Sequence, residues 1–208
     1  MARYLTIHPQ NPQARLVSQV VAAVREGGVI AYPTDSSYAL GCQIGDKSAQ
    51  DRIRRIRCLD DSHHFTLVCR DLSELALYAR VENPVFRRLR ALTPGPYTFL
   101  LKATHEVPRR LQNPKRKTIG LRVPHHTIAQ ALLEALGEPL MSSTLILPGA
   151  DRPLSDPIEI RESLEHQVDI IIDGGHCGLE PTTVVDMVED PPVVVRQGRG
   201  DISPFISP

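Results

Sequence analysis

Eight short apolar runs punctuate this chain, at residues 29–32, 66–69, 97–101, 118–123, 140–143, 168–172, 183–187 and 193–196. Each is bounded by turn residues and is too brief for a helix, so each reads as a strand. Several are continuously apolar rather than alternating, which requires a sheet covered on at least one face by helices. Helix starts lie between them. Asn11-Pro12, Asn83-Pro84 and Asp156-Pro157 each place a capping side chain before a proline suited to a first helical turn. After the first of these, Leu16, Val17, Val20, Val21 and Val24 recur at helical spacing until Gly27-Gly28. Further helical patterns cover residues 49–56, 72–79 and 127–136, the last stopped by Gly137. Strands and helices interleave without strict alternation, so the expected fold is α/β, a mixed sheet flanked by helices rather than a purely parallel one. No repeat or low-complexity linker divides the chain, and 208 residues suit one core, so residues 1–208 are expected to form a single domain.

The same sequence excludes several classes. No apolar run approaches the roughly 18 residues of a membrane span. Met1-Ala2-Arg3-Tyr4-Leu5 carries one cation and no long apolar stretch, unlike a secretory leader. A cytoplasmic protein with no membrane partner is expected. Cys42, Cys58, Cys69 and Cys177 form no Cys-x-x-Cys pair, so no metal site is expected from them. His63-His64 and His125-His126 are adjacent pairs whose rings diverge on strand or helix, which disfavours ligation by either pair. The chain lacks both the Gly-x-x-x-x-Gly-Lys-Ser/Thr phosphate loop and the Gly-x-Gly-x-x-Gly dinucleotide fingerprint. Arg199-Gly200-Asp201, an adhesion tripeptide by spelling, reads as chance in such a chain.

Charge is balanced in total and polarised along the chain. Residues 52–122 carry 16 Lys/Arg against 6 Asp/Glu, a local charge of +10, whereas residues 151–190 carry 2 against 11, a local charge of −9. Such a split can steer anions to one side of a molecule. Of the 24 cations, 20 are arginine, whose planar fork suits phosphate and carboxylate.

Three segments concentrate candidate chemistry. In the first, a strand runs into Tyr32-Pro33-Thr34-Asp35-Ser36-Ser37, and Pro33 halts pairing so that Thr34, Asp35 and Ser36 project into a loop. Ligands commonly bind at such strand ends; a hydroxyl-rich turn is the plain alternative. In the second, Asp51-Arg52-Ile53-Arg54-Arg55-Ile56-Arg57 sets its arginines outside the stripe of Ala49, Ile53 and Ile56. Arg55 and Arg57 share no helical face and converge only if the helix ends near Ile56, where Cys58-Leu59-Asp60-Asp61-Ser62 offers a break; a solvated basic face is the alternative. In the third, the basic loop Lys115-Arg116-Lys117 feeds a strand with Arg122 between Leu121 and Val123. An arginine there needs a fixed anionic partner or a site to face, unless the strand lies at an edge. Arg196 ends another apolar strand, within Val195-Arg196-Gln197-Gly198. Arginines at strand ends beside one hydroxyl-rich loop describe an anion-binding groove near Tyr32-Pro33-Thr34-Asp35.

In order along the chain, these segments resemble the YrdC-like family of threonylcarbamoyl-adenylate synthases, most closely its YciO branch. Tyr32-Pro33-Thr34-Asp35-Ser36 resembles the family's Tyr-Pro-Thr-Asp/Glu-Thr opening, and Arg55-Ile56-Arg57 its Lys-x-Arg. Thr93-Pro94-Gly95-Pro96-Tyr97-Thr98 is similar to its Pro-Gly-Pro-x-Thr turn, and Thr118 through Pro124 to its Arg-Val-Pro strand. Thr182-Thr183-Val184-Val185-Asp186 resembles Ser-Thr-Val-x-Asp, and Val195-Arg196-Gln197-Gly198 resembles Leu-Arg-x-Gly. The resemblance implies a twisted, YrdC/RibB-like sheet with a concave, positively charged face. It implies an ATP-dependent nucleotidyltransferase that joins ATP, bicarbonate and L-threonine into threonylcarbamoyl-AMP and pyrophosphate, with Mg2+, for tRNA modification. The resemblance then implies ATP as a substrate and Mg2+ as its accompanying ion, with no tightly bound cofactor. By position, Arg55, Arg57, His64, Thr118 and Arg196 would hold ATP, and Ser36, Arg122, Thr144 and Thr182 would hold threonine.

The chain departs from the family at recognisable places. The family's Ser-Ala-Asn falls on Thr144-Leu145-Ile146, which replaces an amide able to donate and accept hydrogen bonds with an aliphatic side chain. Arg55 replaces lysine, Cys58 a proline, and Cys69 a histidine. The separate C-terminal domain of longer relatives is expected to be absent. Two other readings stand beside the transferase. One is a double-stranded RNA- or tRNA-binding protein with weak or no synthase activity, reading shape because 5 Tyr, 4 Phe and no Trp supply little base stacking. The other is a monomer or dimer in which the arginines only balance the acidic segment.

Overall fold

The structure is a computed structural model that describes residues 1–60 and 63–206. Among these, ten strands form one sheet: β1 (Arg3–Thr6), β2 (Ile30–Tyr32), β3 (Ala39–Gln43), β4 (Thr66–Val68), β5 (Tyr97–Lys102), β6 (Thr118–Arg122), β7 (Leu140–Thr144), β8 (Ile170–Asp173), β9 (Thr183–Asp186) and β10 (Val193–Arg196). Their spatial order is β1-β8-β2-β3-β7-β4-β6-β5-β9-β10. The sheet is mixed: β8 pairs parallel with β1 and β2, β4 with β6, and β5 with β9, while the remaining neighbours run antiparallel. Six α-helices flank it: α1 (Ala14–Arg25), α2 (Lys47–Arg57), α3 (Leu72–Tyr78), α4 (Asn83–Leu92), α5 (Thr127–Leu136) and α6 (Pro157–Leu164).

All eight expected strands are present, and the sequence pattern missed two. β3 is hidden by small residues and by Gly41, where a Cβ would meet the Tyr32 ring at 2.9 Å. β1 is an edge strand whose Arg3 and Thr6 are exposed, so it carries no apolar run. Two expected caps are also corrected. The residue before α1 is Gln13 rather than Asn11, because the Asn11 backbone N–H is held in a turn by His8 Nδ1, before the helix starts. α4 is preceded by Glu82, with Asn83 already helical and Pro84 in its first turn. The third cap holds: Asp156 accepts from the Ile158 N–H at 2.8 Å.

Strand side chains alternate between two cores, as a period of two dictates. Val29, Ala31 and Ile171 face one core with Ile53 and Ile56 of α2, Leu75 of α3, Leu89 of α4 and Leu164 of α6. Ile30, Tyr32, Ile170 and Ile172 face the other with Val20 and Val24 of α1 and Leu132 and Leu133 of α5. α1 and α5 pack on each other over the β8-β2-β3 side, reaching only as far as Val68 and Leu140. The rest of that face, across β7, β4, β6 and β5, floors a cleft.

The start of α2 is fixed by Asp46, whose carboxylate accepts from the Ala49 N–H at 2.9 Å. Asp46→Ala should lower stability by about 1 kcal/mol, the typical value of a lost N-cap, read as a shifted urea midpoint at unchanged slope.

Candidate functional site

Short side chains make the cleft. Thr66, Thr98, Gly120, Ser142 and Thr144 occupy same-face positions on neighbouring strands, with Thr182 just before β9. At Gly120 a Cβ would meet Thr66 Oγ1 and Thr98 Cγ2, each at 3.2 Å, so glycine keeps the floor open at its centre. The cleft measures 260 Å³. Hydroxyls share the lining with apolar groups supplied by Ala39, Val68, Leu100, Ile146 and Val184.

Three arginines from three elements border it: Arg57 at the end of α2, Arg122 in β6 and Arg196 in β10. Arg122 is 7% exposed. Its strand is interior, between β4 and β5, so the edge-strand alternative falls and the anionic-partner one stands. That partner is Asp35, which forms a buried ion pair with Arg122 and also accepts from the His125 N–H at 3.0 Å. Arg122 reaches Ser36 Oγ at 3.3 Å, and its Nε has no protein partner. Arg57 donates to Ser143 Oγ at 2.5 Å and to the Ile146 carbonyl at 3.1 Å, and burial pulls its pKa below the usual guanidinium value. Arg196 is exposed as a residue, yet its guanidinium donates to the Thr182 carbonyl at 2.9 Å and is desolvated enough to lower its pKa. The Thr182 hydroxyl lies 2.8 Å from that of Thr98.

The loop after β2 is more enclosed than its composition suggests. Thr34, Ser36 and Ser37 are all buried. Thr34 Oγ1 donates to the Ser37 carbonyl at 2.6 Å and accepts from the N–H groups of Ser36 and Ser37, so this hydroxyl holds the loop together. Ser37 lines the cleft, while Ser36 stands one residue back against Arg122. Tyr32 reaches over Gly41 to donate to Ser142 Oγ at 2.8 Å, and burial pushes its phenol up to about 12. The opening tyrosine therefore braces the floor rather than facing solvent.

Of the candidates from sequence, the structure brings Arg57, His64, Arg122, Thr144, Thr182 and Arg196 to one cleft. Arg55 is not among them: α2 continues through Arg57 and turns at Cys58 (φ 50°), so Arg55 stays on the exposed outer face. The helix does end near Ile56, but Arg55 and Arg57 do not converge, and for Arg55 the solvated basic face is the reading that holds; Asp61 and Ser62 of the offered break lie outside the described residues. Thr118 shares the face of Gly120 and Arg122 but lies beyond the cleft lining, near Lys102. His63 and Ser143, which the sequence did not single out, sit in the wall beside Arg57, with His63 Nε2 at 3.2 Å from Ser143 Oγ. Burial, reinforced by Arg57 and Arg54, pushes the His63 imidazole down to about 4.

This fold has known counterparts. The sequence profile of the Sua5/YciO/YrdC family, described as telomere recombination, matches residues 22–198, and the chain belongs to that family. It is 61% identical to the uncharacterized protein YciO of Escherichia coli (strain K12), over 99% of this chain and 100% of that one. The crystal structure of E. coli YciO superposes with a TM-score of 0.96, again over 99% and 100% of the two chains. The threonylcarbamoyl-AMP synthase of Nitrosococcus oceani is 34% identical over 79% of this chain and 86% of its own length. The crystal structure of Pyrococcus abyssi Sua5 complexed with L-threonine matches with a TM-score of 0.86 and 25% identity, over 94% of this chain and 57% of that one.

Truncating one partner of the buried pair leaves an uncompensated charge. Asp35→Ala should therefore destabilise the protein by about 3–5 kcal/mol in urea unfolding, and a second substitution, Arg122→Met, should recover part of that loss.

Proposed function

We propose that the cleft binds ATP and L-threonine and that the protein is a threonylcarbamoyl-AMP synthase-type nucleotidyltransferase. The observation that carries this reading is the convergence of Arg57, Arg122 and Arg196 on one hydroxyl-floored cleft. The family's synthases, and the Sua5 structure that holds L-threonine, support it. In the proposed reaction the threonine nitrogen attacks bicarbonate carbon and water leaves, giving a carbamate. A carbamate oxygen then attacks the α-phosphorus and pyrophosphate departs with the electron pair of the broken P–O bond. Charge spreads over phosphate oxygens in that step, so fixed cations stabilise it more than any covalent device would. Arg57 and Arg196 are assigned to phosphates, and Arg122 with Thr182 to the amino acid, whose carboxylate suits a guanidinium. His64 and Thr144 complete the wall on the nucleotide and amino-acid sides. Among the described residues no carboxylate lines the cleft and no group of three His, Cys, Asp or Glu is placed to hold a metal. In this reading magnesium enters as part of a metal–nucleotide substrate.

The test is pyrophosphate release with ATP, bicarbonate and L-threonine, at protein concentrations near those of substrate. Release that requires all three is expected; none with any amino acid tested would overturn the reading. Ile146 lines the cleft where the family's amide would stand, so Ile146→Asn should restore one hydrogen bond. At about 1 kcal/mol, that bond should raise the threonine-dependent rate or the ATP affinity roughly fivefold.

A second reading rests on α4, which exposes Arg87, Arg88 and Arg90 and buries only Leu89. Such a helix could follow the phosphates of duplex RNA. Its affinity should then fall steeply between 50 and 200 mM salt (about tenfold or more for several phosphate contacts) in a filter-binding titration. A flat salt response would remove it.

A further inference from the structure

His63 is the one imidazole of the cleft wall held between cations, and nothing assigned so far uses it. It leaves the α2–β4 connection just before Phe65, against whose ring it packs edge-on with centroids 5.7 Å apart. Arg54 fixes that connection from α2, donating to the carbonyls of Asp60 and His63 and placing its guanidinium 5.1 Å from the Phe65 ring centroid. The ring is thus held in place, with Nε2 turned to Ser143 in β7.

The hydrogen bonds around Ser143 form a small network with two settings. A serine hydroxyl donates once and accepts at two lone pairs. Arg57 has no acceptor, so its bond to Ser143 Oγ must be donated to the oxygen. With His63 neutral as its Nδ1–H tautomer, the Ser143 proton is then donated to a bare Nε2. With His63 protonated, Nε2–H donates to the second lone pair, and the Ser143 proton is released toward the cleft. In that second setting Arg57, His63 and Ser143 together present two positive charges and one hydroxyl donor to an anion.

We propose that His63 is an anion-binding residue of this cleft that takes up a proton when a phosphate-bearing ligand enters, turning Ser143 into a donor to that ligand. This role presupposes the nucleotide-bearing cleft proposed above. Its electrostatic basis lies in the groups that face the ring. Arg54 and Arg57 come from α2, His64 and Asp60 from the same connection, and Ser143 from β7; Arg122 and Arg196 lie across the cleft. In the ligand-free protein, burial, the two nearby arginines and His64 hold His63 neutral, with Asp60 acting in the other direction. A polyphosphate between Arg57 and Arg196 reverses the local field, and the imidazole gains its charge as it gains a partner. The sign follows by linkage. A group whose pKa rises on binding strengthens binding below the bound pKa, and that gain is lost as pH rises through it.

If occupancy restores the ordinary imidazole value of about 6.5, ATP affinity should fall roughly fourfold from pH 6 to pH 8 beyond any change caused by ATP's own titration. The comparison that isolates this is calorimetric titration of the full chain and of His63→Gln with ATP, and with inorganic pyrophosphate, in buffers of different ionisation enthalpy. At pH 6 the unsubstituted protein should take up most of one proton more per ligand than the variant. Independently, the imidazole NMR titration of His63 should move its midpoint upward when ATP is added; His63→Asn serves for assignment if the glutamine variant does not fold. Binding with equal proton uptake in both proteins, or an unmoved His63 midpoint, overturns the role of His63 while leaving the nucleotide reading intact. No binding of either ligand at any pH overturns both.

Discussion

Taking a guanidinium out of water costs several kcal/mol unless an opposite charge and hydrogen bonds replace the lost solvation. Arg122 meets that condition in the middle of a ten-stranded sheet, by pairing with Asp35. Asp35 in turn is held because Pro33 ends β2 and Thr34 closes the loop on itself. The pair therefore ties the strand-end loop to β6, four positions away in the sheet order, across the floor of the cleft. It also leaves Arg122 with one unpartnered buried nitrogen.

The cleft follows from incomplete coverage. One face of the sheet is packed by α2, α3, α4 and α6, while α1 and α5 cover only part of the other. A half-open apolar floor would invite aggregation. Here the open half carries threonines, serines and a glycine in place of the valines and isoleucines that α1 and α5 bury. Arg57, Arg122 and Arg196 stand at its borders, each bonded to a carbonyl, hydroxyl or carboxylate of another element. The cleft lining and the solution to the packing problem are the same set of residues.

Much of this was legible in the residues themselves, for physical reasons that differ from place to place. Arg122 was legible because a charge flanked by Leu121 and Val123 in an interior strand has few stable environments. β3 was not, because its small residues and Gly41 imitate a loop, and the demand for glycine comes from Tyr32, a neighbour in space. Arg55 and Arg57 could not be ranked without the register at the end of α2, and a single further residue of helix separates the solvent face from the cleft. His63 and Ser143 lie 80 residues apart and meet only because the antiparallel pairing of β4 with β7 sets the start of one beside the end of the other. No local pattern announces such a contact.

The departure at Ile146 is tolerable for a reason visible in the bonding of Arg57. Arg57 is positioned by the carbonyl of Ile146 and by the hydroxyl of Ser143, not by the side chain at position 146. A backbone acceptor survives any substitution that preserves the local chain path, whereas a side-chain amide does not. The charge that borders the cleft is thus uncoupled from the identity of residue 146. What that residue alters is the cleft wall itself, where an aliphatic group lines the opening. The positions of the bordering guanidinium groups and the chemistry of the wall at position 146 can therefore change separately, because one rests on backbone and hydroxyl acceptors and the other on a single side chain.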